Sequence, residues 1–345
     1  MIKEIIDLRS DTVTLPTKEM KQAIIDAKLG DDVFQEDPTV NKLEELAANI
    51  TGKESALLVS SGTQANLISL MTNTNHGEQV IIEAQSHIYW YEVGGISGIA
   101  GLFPKIVKSD MGAPNPVDIQ TAISPNDIHF PKPSLICLEN THNRHGGTII
   151  TPKQIKPISK IAKSNKLKLY MDGARIFNAA VALGIDVKKL TQYADNLMFC
   201  LSKGLSCPVG SLIVGSTNFI SKARKYRKLL GGGMRQAGII AAPGIIALEK
   251  MIDRLKDDHN NAKRLSNQLA TIPGISIDKK RVQTNIIIFD ITNFKMSEEK
   301  FIRELKKEKI LALSLGKNNI RMVTHRGIEK EHIDRTIEII ANISK

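Results

Sequence analysis

"NLMFCLSKGLSCPVGS", residues 196–211, runs through an apolar segment into Ser202 and Lys203 and then into small residues and glycine. A short apolar run bounded by such residues reads as a buried strand. Lys203 therefore stands where a buried strand stops, and the question is what delivers an amine to that place. Working outward, comparable runs occur at "SALLVS" (55–60), "QVIIEA" (79–84), "SLICLE" (134–139), "LKLYMD" (167–172) and "GSLIVG" (210–215). Between them "QANLISLMTN", "TPKQIKPISKIAKSN" and "TNFISKARKYRKLL" have helical spacing. The alternation predicts an α/β fold, a mostly parallel sheet flanked by helices.

In such a sheet the ligand crevice opens beyond the carboxyl ends of the strands. Four polar clusters follow four of the runs: Ser61-Gly62-Thr63, Asn140-Thr141-His142, Asp172-Gly173-Ala174-Arg175 and Lys203-Gly204. Each has an ordinary explanation alone, as a helix cap, a turn residue or a surface lysine. Together, at one sheet edge, they supply an anion-binding helix start, a carboxylate and a lysine. Pyridoxal 5'-phosphate needs this trio: an amine for its covalent anchor, an acid for the ring nitrogen and a cradle for the phosphate. Lys203 and Asp172 are the candidates for the first two roles.

Past residue 240 the pattern changes. A helical stretch over residues 244–270 is followed by a strand, helix, strand, strand, helix series through "TNIIIFDI", "SEEKFIRELKKE", "ILALSL", "NIRMVTH" and "EKEHIDRTIEIIANI". This predicts a smaller C-terminal α+β domain, with residues 1–250 forming the large domain and its N-terminal arm and 251–345 the small one.

Composition narrows the function class. The 345 residues are 42% hydrophobic and 24% charged, ordinary values for a globular chain. The opening "MIKEIIDLRSD" places charges throughout the segment a signal peptide keeps apolar, so a cytoplasmic protein is expected. "IIAAPGIIAL", from Ile239, falls well short of the roughly 18 residues of a membrane span, and no membrane crossing is expected. Three scattered cysteines make neither a disulfide frame nor a zinc site. His142 and His145 lack an evident third ligand, and no metal is expected. The net charge of +11 is concentrated at "KARKYRK" (222–228), yet no nucleic-acid-binding pattern accompanies it, so no nucleic-acid partner is expected.

Eight ordered motifs carry a resemblance: "LRSDTVT", "GDDVFQEDPT", "SGTQAN", "ENTHN", "DGARIFNA", "LSKGLSCPVGS", "GGGMRQ" and "RMVTH". The set resembles the low-specificity L-threonine aldolases among the fold type I pyridoxal-phosphate enzymes, from Asp7 to His325. The resemblance implies cleavage of L-threonine or L-allo-threonine to glycine and acetaldehyde, by a homotetramer with active sites at subunit interfaces. It assigns Lys203 as the Schiff-base lysine and Asp172 as the pyridinium partner. Gly62, Thr63 and Ser202 resemble the phosphate binders, and His87 the histidine stacked on the cofactor ring. His142 resembles the one near the substrate β-hydroxyl, the first candidate for the base, with His87 second. Ser10, Arg175 and Arg321 resemble the grip on the substrate carboxylate, Arg175 also bordering the cofactor. Lys228 and Arg235 resemble groups that reach the phosphate from an adjoining subunit. Phe34 stands where the family commonly has tyrosine. A β-eliminating lyase or a transaminase would share the lysine and the aspartate, and a basic nucleic-acid-binding protein is the reading outside enzymes.

Overall fold

The computed structural model of the chain describes residues 5–344. Its centre is a seven-stranded sheet made of β1 (Ser55–Val59), β2 (Gln79–Glu83), β3 (Phe103–Val107), β4 (Pro133–Glu139), β5 (Lys168–Asp172), β6 (Asn196–Cys200) and β7 (Ser211–Gly215), in the order β1-β7-β6-β5-β4-β2-β3. All six expected strands are present. The seventh, β3, escaped the sequence reading because "FPKIV" lies at the sheet edge with most of its side chains reaching solvent, so no apolar run marks it.

Strands β2 to β6 are mutually parallel. By contrast, β7 runs antiparallel to both its neighbours. Residues 201–210 are too few for the helical crossover that a parallel return demands, so the chain turns back directly. Ser211 consequently pairs with Val59 on one side and Cys200 on the other, which brings the segments after β1 and β6 to the same edge. Glu139 pairs with Asp172 in the adjacent register. Strands β2, β6 and β7 are buried along their whole length, as a sheet between helix layers requires.

The C-terminal part has a three-stranded antiparallel sheet, β8 (Ile286–Asp290), β9 (Leu313–Ser314) and β10 (Asn319–Val323), with helices Glu298–Lys307 and Lys330–Ile343. Two expectations need correction. The helical stretch over residues 244–270 is two helices, Gly238–Lys250 and Leu255–Leu269, separated by residues 251–254. The N-terminal arm does not pack wholly with the large domain: Ile6–Asp7 pairs with Ile310–Leu311, and Ile6 and Leu8 are buried with Phe289, Phe301 and Ile333. Apolar burial draws the arm there. No helix among the described residues is long and apolar enough to cross a membrane.

Candidate active site

The helix Gly62–Asn73 starts directly beyond β1, its first turn capped by Ser61, whose Oγ accepts from the Gln64 amide at 3.2 Å. The Gly62 and Thr63 amides, being first-turn groups, have no intrahelical acceptor and carry the positive end of the helix dipole. A Cβ on Gly62 would come within 3.0 Å of Cys200 Sγ and 3.2 Å of Met198 Cε, so any larger residue would have to push these side chains aside for the turn to lie this close to β6.

These residues border a cavity of about 190 Å³, shared with Asn66, His87, Glu92, Glu139, Thr141, Asp172, Arg175, Ser202 and Lys203. Of the residues singled out in the sequence, Gly62, Thr63, His87, Asp172, Arg175, Ser202 and Lys203 thus meet at one place. Lys203 is half-buried. Its backbone oxygen accepts from the Ser206 amide at 2.8 Å and Thr14 Oγ1 at 2.9 Å, while its Nζ makes no hydrogen bond or ion pair among the described residues. Asp172 is buried at the end of β5, its two carboxylate oxygens accepting from Asn66 Nδ2 at 2.9 Å and the Ala174 amide at 3.0 Å.

His87 begins a short helix after β2. Its amide donates to Glu139 at 2.6 Å and its Nδ1 lies 2.9 Å from Glu92. Burial pulls its pKa down, but the bond to Glu92 and the negative charges of Asp172, Glu92 and Glu139 outweigh this and leave it raised.

Arg175 is held in a buried two-point pair with Asp11, Nε to Oδ2 at 2.7 Å and Nη2 to Oδ1 at 2.6 Å. Burial alone would raise the Asp11 pKa, but the Arg175 guanidinium, with weaker help from Lys203 and Arg321, holds it far below the usual carboxylate range. A depressed folded-state pKa contributes stability above the unfolded value of about 3.9, lost only as pH falls through the folded value in strong acid. Replacing Asp11 with alanine strands a buried guanidinium, and chemical denaturation is expected to register a loss of about 3–5 kcal/mol.

Several expected residues lie off the cavity. His142 was expected near the substrate β-hydroxyl, but it is completely buried behind the wall, with Nε2 2.9 Å from Glu83 and Nδ1 4.0 Å from Glu139. Gly112 packs against its ring, and β2 supplies the carboxylate that holds it there. Ser10 caps a single turn at Asp11–Val13, accepting from the Thr12 amide at 3.2 Å. Arg321 reaches the wall indirectly, donating to Asn143 at 2.9 Å and to the Arg9 carbonyl at 3.0 Å, with its Nε buried and unpartnered. Lys228 borders a separate surface depression with Asp32 and Gly233, and Arg235 donates to Asp31 at 3.2 Å. Phe34 is largely exposed. Asp11, Asn66, Glu92 and Glu139 were not anticipated; their one signal was a polar side chain inside a quoted motif or, for Glu92, five residues after His87.

The donor set fits a pyridoxal phosphate. An amine uncommitted among the described residues and a buried carboxylate border one cavity with a helix start, and Thr141 Oγ1, also in the wall, is buried with no partner among those residues.

Residues 7–292 match the family described as beta-eliminating lyase. Low-specificity L-threonine aldolase 1 of Arabidopsis thaliana is 42% identical over 342 residues, covering 98% of this chain and 96% of the relative. The low specificity L-threonine aldolase of Escherichia coli (strain K12) is 40% identical over 329 residues, covering 95% and 96%. The solved Leishmania major threonine aldolase superposes with a TM-score of 0.85 at 19% identity, covering 99% of this chain and all of that one. The family match and these relatives make the chain a lyase, built on the fold type I architecture of pyridoxal-phosphate enzymes. Within that class, the chain belongs to the low-specificity L-threonine aldolase family.

Proposed function

We propose that the chain binds pyridoxal 5'-phosphate in this cavity and cleaves L-threonine and L-allo-threonine to glycine and acetaldehyde. The observation that carries the reading is the meeting of Lys203, Asp172 and the Gly62 helix start around one cavity. When bound, the cofactor supplies an electron sink for the pair released as the Cα–Cβ bond breaks. Lys203 would hold it through Nζ, Asp172 would pair with its ring nitrogen, and the amides of Gly62 and Thr63 with the Ser202 hydroxyl would take its phosphate.

The substrate carboxylate has two guanidinium groups to meet. Arg175 has spent Nε and one proton of Nη2 on Asp11, which leaves both protons of Nη1 and the second of Nη2. Arg321 is pushed down to about 10 by burial and by the neighbouring Arg175, so it remains cationic at neutral pH. A carboxylate beside Arg175 would screen the repulsion of the two cations. Ser10, which caps its own turn, stands third in this grip. Fixing the carboxylate fixes which bond of Cα is set to break.

A group must also take the β-hydroxyl proton. His87 lies in the wall with Nδ1 engaged by Glu92, so Nε2 is the nitrogen left for that transfer. His142, behind the wall, would act on the Glu139 carboxylate rather than on substrate.

Lys228 and Arg235 border no part of this chain's own cavity, which agrees with their reaching a neighbouring subunit's phosphate in a cytoplasmic homotetramer. The functional test is incubation of the cofactor-loaded protein with each threonine diastereomer. Equal yields of glycine and acetaldehyde are expected; ammonia with a keto acid, and no acetaldehyde, would overturn the reading in favour of elimination or transamination.

A further inference from the structure

A buried polar array that joins three separate parts of the chain forms one side of the cavity wall, with Tyr170 behind it. Asn66, on the helix Gly62–Asn73, donates from Nδ2 to Asp172 at 2.9 Å and to Glu92 at 2.7 Å. Its Oδ1 accepts from the Tyr170 hydroxyl at 2.6 Å. The polarity of this array is dictated by chemistry. Ionised carboxylates only accept, so the amide NH₂ must face them, which leaves Oδ1 toward Tyr170 and makes the phenol the donor. Both Asn66 protons are thereby committed, one to each carboxylate. Tyr170, Asn66 and Glu92 are all nearly inaccessible to solvent, so rotation of any member would strand a buried polar group.

Glu92 is the branch that faces the histidine. The Oε1 that accepts from Asn66 also lies 2.9 Å from His87 Nδ1. The other groups around His87 are Asp172 at the end of β5, Glu139 at the end of β4 through the His87 amide, the Tyr91 ring at 5.6 Å, and Lys203 and Arg175 across the cavity. None of these hydrogen-bonds an imidazole nitrogen; among the described residues, Glu92 alone does.

We propose that Glu92, fixed in place by Asn66 and Tyr170, is a positioning residue that holds the His87 ring through Nδ1 and so leaves Nε2 as the nitrogen that exchanges protons in the cavity. This deepens the functional reading above and rests on it for the role of His87. A carboxylate in this position selects the Nδ1–H tautomer and stabilises the protonated ring, as a histidine's orienting partner does. The charge balance agrees. Burial raises the Glu92 pKa, Asp172 raises it further, and the bond to His87 only partly offsets them, while His87 itself is raised. The pair therefore holds its shared proton tightly.

The test is Glu92→Gln in the holoenzyme, read by ¹⁵N NMR titration of labelled histidines, with His87 identified by its loss in His87→Gln. In the parent protein His87 should titrate above the ordinary value near 6.5, and in E92Q about one pH unit lower or more, with the Nδ1–H preference lost. The pH-rate limb assigned to His87 should move by the same amount. Turnover should fall about 10- to 100-fold while KM changes by less than ~3-fold, since the carboxylate grip is untouched. Should E92Q not fold, Glu92→Asp keeps the charge but withdraws the carboxylate by one methylene, and is expected to show the tautomer change with a smaller shift. A purely structural role would lower thermal stability and leave the His87 titration and the pH limb where they were, and that outcome overturns the proposal. Failure of the parent protein to cleave threonine would sink the functional reading alone, because the NMR titration interrogates the Glu92–His87 pair directly.

Discussion

Lys203→Ala is expected to lower turnover by about 10³-fold or more, the scale on which removing a group that touches the reacting atoms acts, while the protein stays folded. The separation of the two effects follows from how the side chain is held. Its Nζ has no protein partner among the described residues and the residue is half-buried, so truncation leaves no buried donor or acceptor stranded. What ties residue 203 into the fold is its carbonyl, which Ser206 and Thr14 engage, and alanine keeps that carbonyl. Denaturation should therefore shift by no more than about 1 kcal/mol. Borohydride treatment of the parent protein should fix the cofactor to Lys203, and in the variant to no lysine. A second lysine that carried the label with activity preserved would refute the anchor.

The second large effect is expected at Asp172, and here catalysis and stability change together. Both Asp172 oxygens accept buried hydrogen bonds, from Asn66 and from the Ala174 amide. An asparagine has only one oxygen, so in Asp172→Asn its NH₂ must confront one of those two donors, at a cost of about 1–3 kcal/mol. The lost negative charge would no longer hold the cofactor's ring nitrogen protonated, and turnover should drop about 10²- to 10³-fold. Steady-state kinetics with cofactor titration checks the first consequence, and thermal unfolding the second. Near-normal turnover in a folded, fully loaded Asp172→Asn protein would remove Asp172 from the role. Glutamate is no conservative replacement, because its extra methylene would carry the carboxylate away from the Asn66 and Ala174 donors that hold it.

The two kinds of residue in this site differ in how far they could be read beforehand. Lys203, Asp172 and Gly62 each follow an apolar run that had to be a buried strand, and the carboxyl edge of a parallel sheet is where such endings converge. The edge strand Phe103–Val107, with Pro104 and Lys105 inside it, has no such run and could not be read in this way. Arg175 was visible as a charge after β5, but its partner Asp11 lies 164 positions earlier in the chain. The interrupted helix before residue 255 and the docking of Ile6 and Leu8 on the C-terminal core were likewise decided by packing.

The amino-acid order alone determined the α/β architecture, the strand ends that carry Lys203, Asp172 and Gly62, and membership of a family through motifs spread over nearly the whole chain. Those features follow from local periodicity, since an apolar run stops at a definite residue and a glycine or cap stands next to it. Only the tertiary structure decided that His87 stands in the cavity wall while His142 lies behind it, and that Asn66 binds Asp172 and Glu92 with one amide. The reason is that a side chain's partner and the direction it points depend on distant segments closing over it, and no local pattern of hydrophobicity records that closure.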